Sequence, residues 1–127
     1  MDERWPSDDE KTPGVLDERL LMEAASDDRV EAAALMTLFF RLAAHQFVKM
    51  REAADAGERS SLARTAHQAA GGAATCGFGA LASALHAMET IASSPAGDLT
   101  AGLERAGREL ERARRAASSF LGEDGTS

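Results

Sequence analysis

Three side chains in this sequence have the types and spacing for proton and group-transfer chemistry: His67, His86 and Glu89. His67 stands in the run TAHQAAGGAATCGFG, which is alanine-rich and predicts helix up to Cys76. Yet Gly71 and Gly72 sit in its middle, and each weakens a helix interior by about 1 kcal/mol relative to alanine. On a helix, the neighbours of His67 on its own face are Ala63, Arg64, Ala70 and Gly71, with Ala74 a turn further on. The surface beside the imidazole is therefore nearly bare towards the C-terminus. Missing side chains let another protein's backbone approach closely, which gives Gly71 a functional reason. Gly72 reads instead as a close approach of a neighbouring helix.

His86 and Glu89 are three residues apart, on one helix face, and border the apolar positions Leu85 and Met88. Helices joined by the short Gly77-Phe78-Gly79 turn pack antiparallel. His67 and Glu89 each lie eleven residues from Phe78, so the pairing sets Glu89 level with His67 and His86 one turn nearer the connection. A carboxylate at that level can accept the Nδ1–H of His67, which fixes the tautomer and leaves Nε2 free as a nucleophile. Plainer readings exist for each residue. His45 reads as an ordinary surface histidine, and an i, i+3 pair such as His86 and Glu89 often only solvates a helix border. A zinc set of His67, His86, Glu89 and Cys76 is disfavoured, because Cys76 falls on a core-facing seam about 13 Å along the helix from His67.

The elements that must position these residues follow from apolar periodicity. Residues 1–14 form an acidic stretch without periodicity, expected as a flexible arm on which Trp5 could dock to the surface. Val15 to Ala25 predicts a short helix with Val15, Leu16, Leu20 and Ala24 on one side. Asp28 followed by Glu31 resembles a capping box and opens a long helix from about Arg29 to Ala54. Leu35, Leu38 and Leu42 form one apolar row on it; Met36, Phe39, Phe40, Ala43, Phe47 and Met50 form a second. Ser60 or Ser61 is the expected cap of the His67 helix, whose seam is Leu62, Ala66, Ala69, Ala73 and Cys76. The next helix buries Leu81, Leu85, Met88 and Ala92. After a connector capped by Asp98, the last helix buries Leu99, Leu103, Ala106, Leu110, Ala113, Ala117 and Phe120. Its outer faces carry Arg105, Arg108, Arg112, Arg114 and Arg115, expected as a solvated face paired with acids. Residues 122–127 are expected to be a disordered tail. No strand pattern and no repeat is present. The prediction is an all-α chain: an antiparallel four-helix bundle over residues 15–121 with a short additional N-terminal helix.

Composition narrows the function. The net charge of −7 argues against nucleic acid, whose phosphates would be repelled. A single cysteine excludes an internal disulfide and suits a reducing compartment. No run is long and apolar enough for a membrane helix, and the acidic start is unlike a signal peptide. A cytoplasmic location, no membrane contact and a monomer are expected. Neither G-x-x-x-x-G-K-[ST] nor a kinase-type glycine loop occurs, so no intrinsic cofactor and no ATP site are expected.

The run AHQAAGGAATCGFGAL, followed by LHAME, resembles the histidine phosphotransfer (HPt) domain family, most of all the N-terminal phosphotransfer domain of chemotaxis-type histidine kinases. That family reads approximately A-H-S-I-K-G-G-A-x-x-F-G-F-x-x-L and then L-x-H-x-x-E. The resemblance covers Ser60 to Ala92 closely and Val15 to Phe120 more loosely. It implies a four-helix bundle in which His67 carries a phosphoryl group and His86 and Glu89 hydrogen-bond around it. It also implies a receiver domain or a kinase catalytic domain as partner, with Mg²⁺ supplied by the partner. Docking is expected around Arg64, Gln68, Ala70, Gly71 and Ala74. One position departs from the pattern: Ala70 stands where the family usually has lysine, so Ala70→Lys is expected to speed phosphorylation if the missing cation limits the rate. A docking module that is never phosphorylated and a plain helical scaffold remain the alternatives.

Overall fold

The computed structural model describes residues 14–122. The rest of the expected arm, Trp5 included, and of the expected tail lies outside the described residues. Among those described there are five helices and no strand: α1 (Glu18–Ala24), α2 (Arg29–Ala56), α3 (Arg59–Thr75), α4 (Gly79–Ala92) and α5 (Leu99–Gly122). Helices α2 to α5 form an antiparallel four-helix bundle in which each packs on the next and α5 closes back on α2, while α1 lies against α2 and α3. Among the described residues no helix is long and apolar enough to cross a membrane.

The first helix begins later than its apolar pattern suggests. Asp17 caps it, its carboxylate accepting from the N–H groups of Arg19 and Leu20 at 3.0 and 3.2 Å. Val15 and Leu16 therefore lie outside the helix. Leu21 and Ala25 are the buried residues, while Leu20 and Ala24, expected inside, are exposed. Without Val15 and Leu16 in register, the remaining turns bury the stripe that contains the larger buried side chain. Gly14, assigned above to the arm, is tied in through its carbonyl, which accepts from the Ala80 N–H at 2.9 Å. Gly122, assigned to the tail, is the last residue of α5.

Asp28 caps α2 by accepting from Val30 and Glu31 N–H at 2.8 and 3.2 Å. Gly57 ends that helix with φ +73°, and the Gly57 and Glu58 N–H groups close onto Ala54 and Ala53 carbonyls. The row Ala32, Met36, Phe39, Ala43, Phe47, Met50 and Ala53 is buried. The row of leucines stays largely outside the core: Leu35 packs against its edge, but Leu38 and Leu42 are 58% and 52% exposed. The two neighbours of α2 in the bundle, α3 and α5, both meet the Met36–Phe47 side.

Neither serine caps α3, which starts at Arg59 after a Glu58 that makes no side-chain cap bond. Arg59 reaches across to the α4–α5 connection instead. Its guanidinium donates to the carbonyls of Ile91, Ser94 and Gly97 at 3.2, 2.5 and 2.8 Å. At the far end of α3, Gly77 has φ +87°, and a Cβ there would lie 2.4 Å from the Asp17 carbonyl oxygen. That carbonyl belongs to the residue whose own N–H donates to Gly77 O at 2.7 Å. Gly77→Ala is expected to lower stability by about 1–3 kcal/mol through the left-handed strain alone, with the clash adding to it, read as a denaturant midpoint shift. Phe78 follows, fully buried and stacked on Phe39 at 5.2 Å between centroids, with Phe40 at 5.3 Å. This aromatic plug fixes the α3–α4 turn against α2, and with it the relative height of the two helices that carry the site.

Candidate functional site

The α3–α4 pair has the most extensive contact in the bundle. Small residues permit this: Ala66, Ala69, Ala70 and Ala73 of α3 are all buried, as are Ala82 and Ala84 of α4. The narrow seam brings the outer edges of the two helices close enough for their side chains to meet. His67 Nδ1 lies 3.1 Å from Glu89 Oε1, and His86 Nδ1 lies 3.7 Å from the same oxygen. The two imidazole rings stand edge to face with centroids 6.4 Å apart. All three side chains are reachable from solvent, His67 most of all at 66% exposure against 34% for Glu89. With Nδ1–H donated to the carboxylate, Nε2 carries the lone pair and has no partner among the described residues. The arrangement presents an oriented, accessible nitrogen nucleophile with a negative charge behind it.

The surroundings are as open as the sequence suggests on one side only. Arg64, Gln68, Gly71 and Ala74 are exposed around His67. A Cβ added to Gly71 would meet nothing within 4 Å. Arg64 forms no ion pair among the described residues. Gly72 is not a point of tight approach, since a Cβ there would make ordinary contact with the Phe39 ring at 3.8 Å. Its absence of a side chain has no steric explanation in the fold.

Ala70 is the larger correction. It belongs to the set expected to touch a partner, yet it is 0% exposed. Three residues past His67, it points into the α3–α4 seam rather than along the open face, because that seam is wide enough to include positions 66, 69, 70 and 73. A lysine at 70 must therefore thread its stem out of a packed seam. Ala70→Lys is expected to destabilise the fold by about 1–3 kcal/mol from overpacking, and not to accelerate phosphorylation as expected above. Chemical denaturation beside single-turnover labelling checks both halves; a faster variant with an unshifted midpoint would overturn this reading.

Elsewhere, the arginines of α5 split. Arg112 pairs with Glu109 at 3.0 Å and Arg114 approaches Glu111 at 3.9 Å. Arg114 also lies over the Phe40 ring, 5.1 Å from its centroid. Arg105, Arg108 and Arg115 form no ion pair among the described residues. Sequence reasoning missed Gly102, where a Cβ would fall 2.7 Å from Met88 Sδ, so a larger residue there would require the Met88 side chain to shift. Cys76 is buried, and burial raises its thiol pKa, which keeps it protonated and unreactive.

Comparison with known proteins adds to this geometry. The Hpt domain family model matches residues 34–119, more than half of the chain. The crystal structure of histidine-containing phosphotransfer protein B (HptB) from Pseudomonas aeruginosa PAO1 is similar, with 25% sequence identity and a TM-score of 0.75 over 86% of this chain and 96% of that one. No curated protein matches the sequence.

Proposed function

Because the chain belongs to the Hpt domain family, we propose that it is a phosphoryl carrier of a two-component phosphorelay, with His67 as the accepting residue. The observation that supports this most is the 3.1 Å contact between His67 Nδ1 and Glu89, which orients an otherwise exposed ring with Nε2 outward. In the proposed reaction Nε2 attacks phosphorus in line. A P–N bond forms, and the P–O bond to the donor breaks. The leaving group is the carboxylate of an aspartyl-phosphate on a receiver domain, or ADP when a kinase catalytic domain is the donor. Positive charge develops on the imidazole, and the Glu89 carboxylate behind Nδ1 offsets it. In the second half-reaction a receiver aspartate attacks the phosphoryl group and Nε2 leaves as neutral imidazole. Positioning and electrostatics carry such a transfer, so a helical carrier with no nucleotide pocket suffices. Mg²⁺ on the partner supplies charge neutralisation on the phosphoryl oxygens.

A monomeric, cytoplasmic carrier fits this reading, and the H-x-x-E run of α4 favours kinship with the chemotaxis-type phosphotransfer domains. The second reading, a docking module that binds a kinase or receiver without being phosphorylated, is favoured by one departure from the family pattern: Ala70 stands where that pattern has lysine. Incubation with phosphorylated receivers or kinase catalytic domains separates the two. Acid-labile, base-stable label on the wild-type chain is the expected result. Binding without label would favour the docking module instead, and neither binding nor label would leave only the scaffold.

A further inference from the structure

A phosphoryl group on Nε2 of His67 brings a charge of about −2 to a ring whose Nδ1 already lies 3.1 Å from the Glu89 carboxylate. A nearby cation offsets that repulsion. Helices α3 and α4, which carry the site, contain two arginines and no lysine. Arg59 is committed to the carbonyls of Ile91, Ser94 and Gly97. Arg64 is exposed, and it forms no ion pair or side-chain hydrogen bond among the described residues.

The side of the ring that Arg64 occupies follows from the helix period. At about 100° per residue, Ala70 lies about 60° round α3 from His67 in one sense and Arg64 about 60° in the other. Ala70 is buried in the seam with α4, so its side is the side of Glu89. Gly72, which faces the Phe39 ring of α2, lies in the same sense as Arg64. With Nδ1 turned to Glu89, Nε2 on the opposite edge of the imidazole is turned away from α4, towards the Arg64 side. A helical side chain also covers the turn that precedes its own Cα. The His67 ring therefore overlies the turn of Ala63 and Arg64 rather than that of Ala70 and Gly71. Residues three apart on a helix have Cβ atoms about 5–6 Å apart, a gap that an arginine side chain spans.

We propose that Arg64 is a catalytic residue of this carrier, its guanidinium binding the phosphoryl oxygens as the group passes to and from Nε2 of His67. The proposal rests on the phosphocarrier reading. The guanidinium fork donates to two phosphoryl oxygens at once and stays charged throughout. It gives up no proton: the P–N bond forms at Nε2, the donor's P–O bond breaks, and Arg64 only holds the oxygens between them. The cation that the family pattern puts at position 70 is thus supplied from the opposite side of the histidine.

The test compares wild type, Arg64→Ala and Arg64→Lys with two donors. One is small-molecule phosphoramidate, which has no docking surface; the other is a receiver domain phosphorylated on aspartate, at saturating concentration in single turnover. Arg64 is on the surface, so circular dichroism should give one fold and one melting curve for all three chains. Removing an oriented donor from an enclosed site costs about 10²–10³ in rate, and solvent around Arg64 reduces this to about tenfold in Arg64→Ala with either donor. Arg64→Lys keeps the charge without the fork and should recover most of the rate. In the phosphorylated chain, the phosphorus-31 titration midpoint of the phosphohistidine should move up in Arg64→Ala, because a cation beside it favours the dianion. A residue with only a structural role would leave that midpoint in place. An unchanged phosphoramidate rate in the folded Arg64→Ala variant would overturn the assignment, even with a raised receiver Kd, since Arg64 would then serve docking alone. So would an unmoved phosphorus midpoint. Wild type that takes no label from either donor would bring down the carrier reading and Arg64 with it, whereas labelled wild type with an unaffected Arg64→Ala removes Arg64 only.

Discussion

His67→Gln is expected to reduce acid-labile, base-stable label to background with every donor that labels the wild-type chain. Glutamine keeps the approximate size and polarity of the side chain but has no nitrogen lone pair able to attack phosphorus. His67 is 66% exposed and no part of the core, so its replacement should leave stability within about 0.5 kcal/mol. Loss of label with an unshifted melting curve therefore reports chemistry rather than folding. The competing nucleophile is His86, whose ring centre is 6.4 Å away and which approaches the same carboxylate. Its Nδ1 stands 3.7 Å from Glu89 Oε1, longer than a hydrogen bond, so its ring is less firmly oriented. His86→Gln is expected to keep the label, at an altered rate. The opposite pattern, label retained in His67→Gln and lost in His86→Gln, would move the carrier role to His86.

The site was legible because it depends on two quantities that sequence carries directly: helix period and distance from a turn. Equal spacing of His67 and Glu89 from Phe78 requires only that the turn be tight, and Gly77 at φ +87° makes it so. The same reasoning misplaced Ala70 because period alone does not set the width of a seam. Between two alanine-lined helices the backbones come close, and the buried arc widens to include a position that would lie at the border of a seam built from larger side chains. It misplaced Leu38 and Leu42 for the converse reason. An apolar row predicts burial, but whether a neighbour covers it depends on the arrangement of the whole bundle, and the helices packed on α2 leave Leu38 and Leu42 more than half exposed. Contacts of long sequence separation were beyond reach for the same cause. Arg59 reaching Ser94 and Gly97, and Arg29 donating to the Phe120 carbonyl at 3.2 Å while lying over its ring, join residues that no local pattern associates.

Glu89 decides how His67 works, and its two contributions can be separated. Glu89→Ala removes both the acceptor for Nδ1–H and the negative charge. Transfer in either direction should slow by roughly 10- to 100-fold, the range typical of groups that orient a reacting imidazole. Glu89→Gln retains a carbonyl oxygen able to accept Nδ1–H but not the charge. It should fall between wild type and alanine, close to wild type if orientation dominates and close to alanine if charge stabilisation does. Glu89 is a third exposed and borders the core without entering it, so neither variant should shift stability by more than about 0.5 kcal/mol. Single-turnover transfer from a phosphorylated receiver, at saturating receiver, isolates the chemical step from docking. Equal rates for wild type and Glu89→Ala would show that the 3.1 Å contact does not serve transfer, and His67 would then be oriented only after a partner arrives. Loss of label in Glu89→Ala without loss of receiver binding would instead make the carboxylate as necessary as the histidine. The ring must be neutral at Nε2 to attack yet tolerate positive charge once phosphorus is bound, and among the described residues the Glu89 carboxylate behind Nδ1 is the group in reach that serves both states.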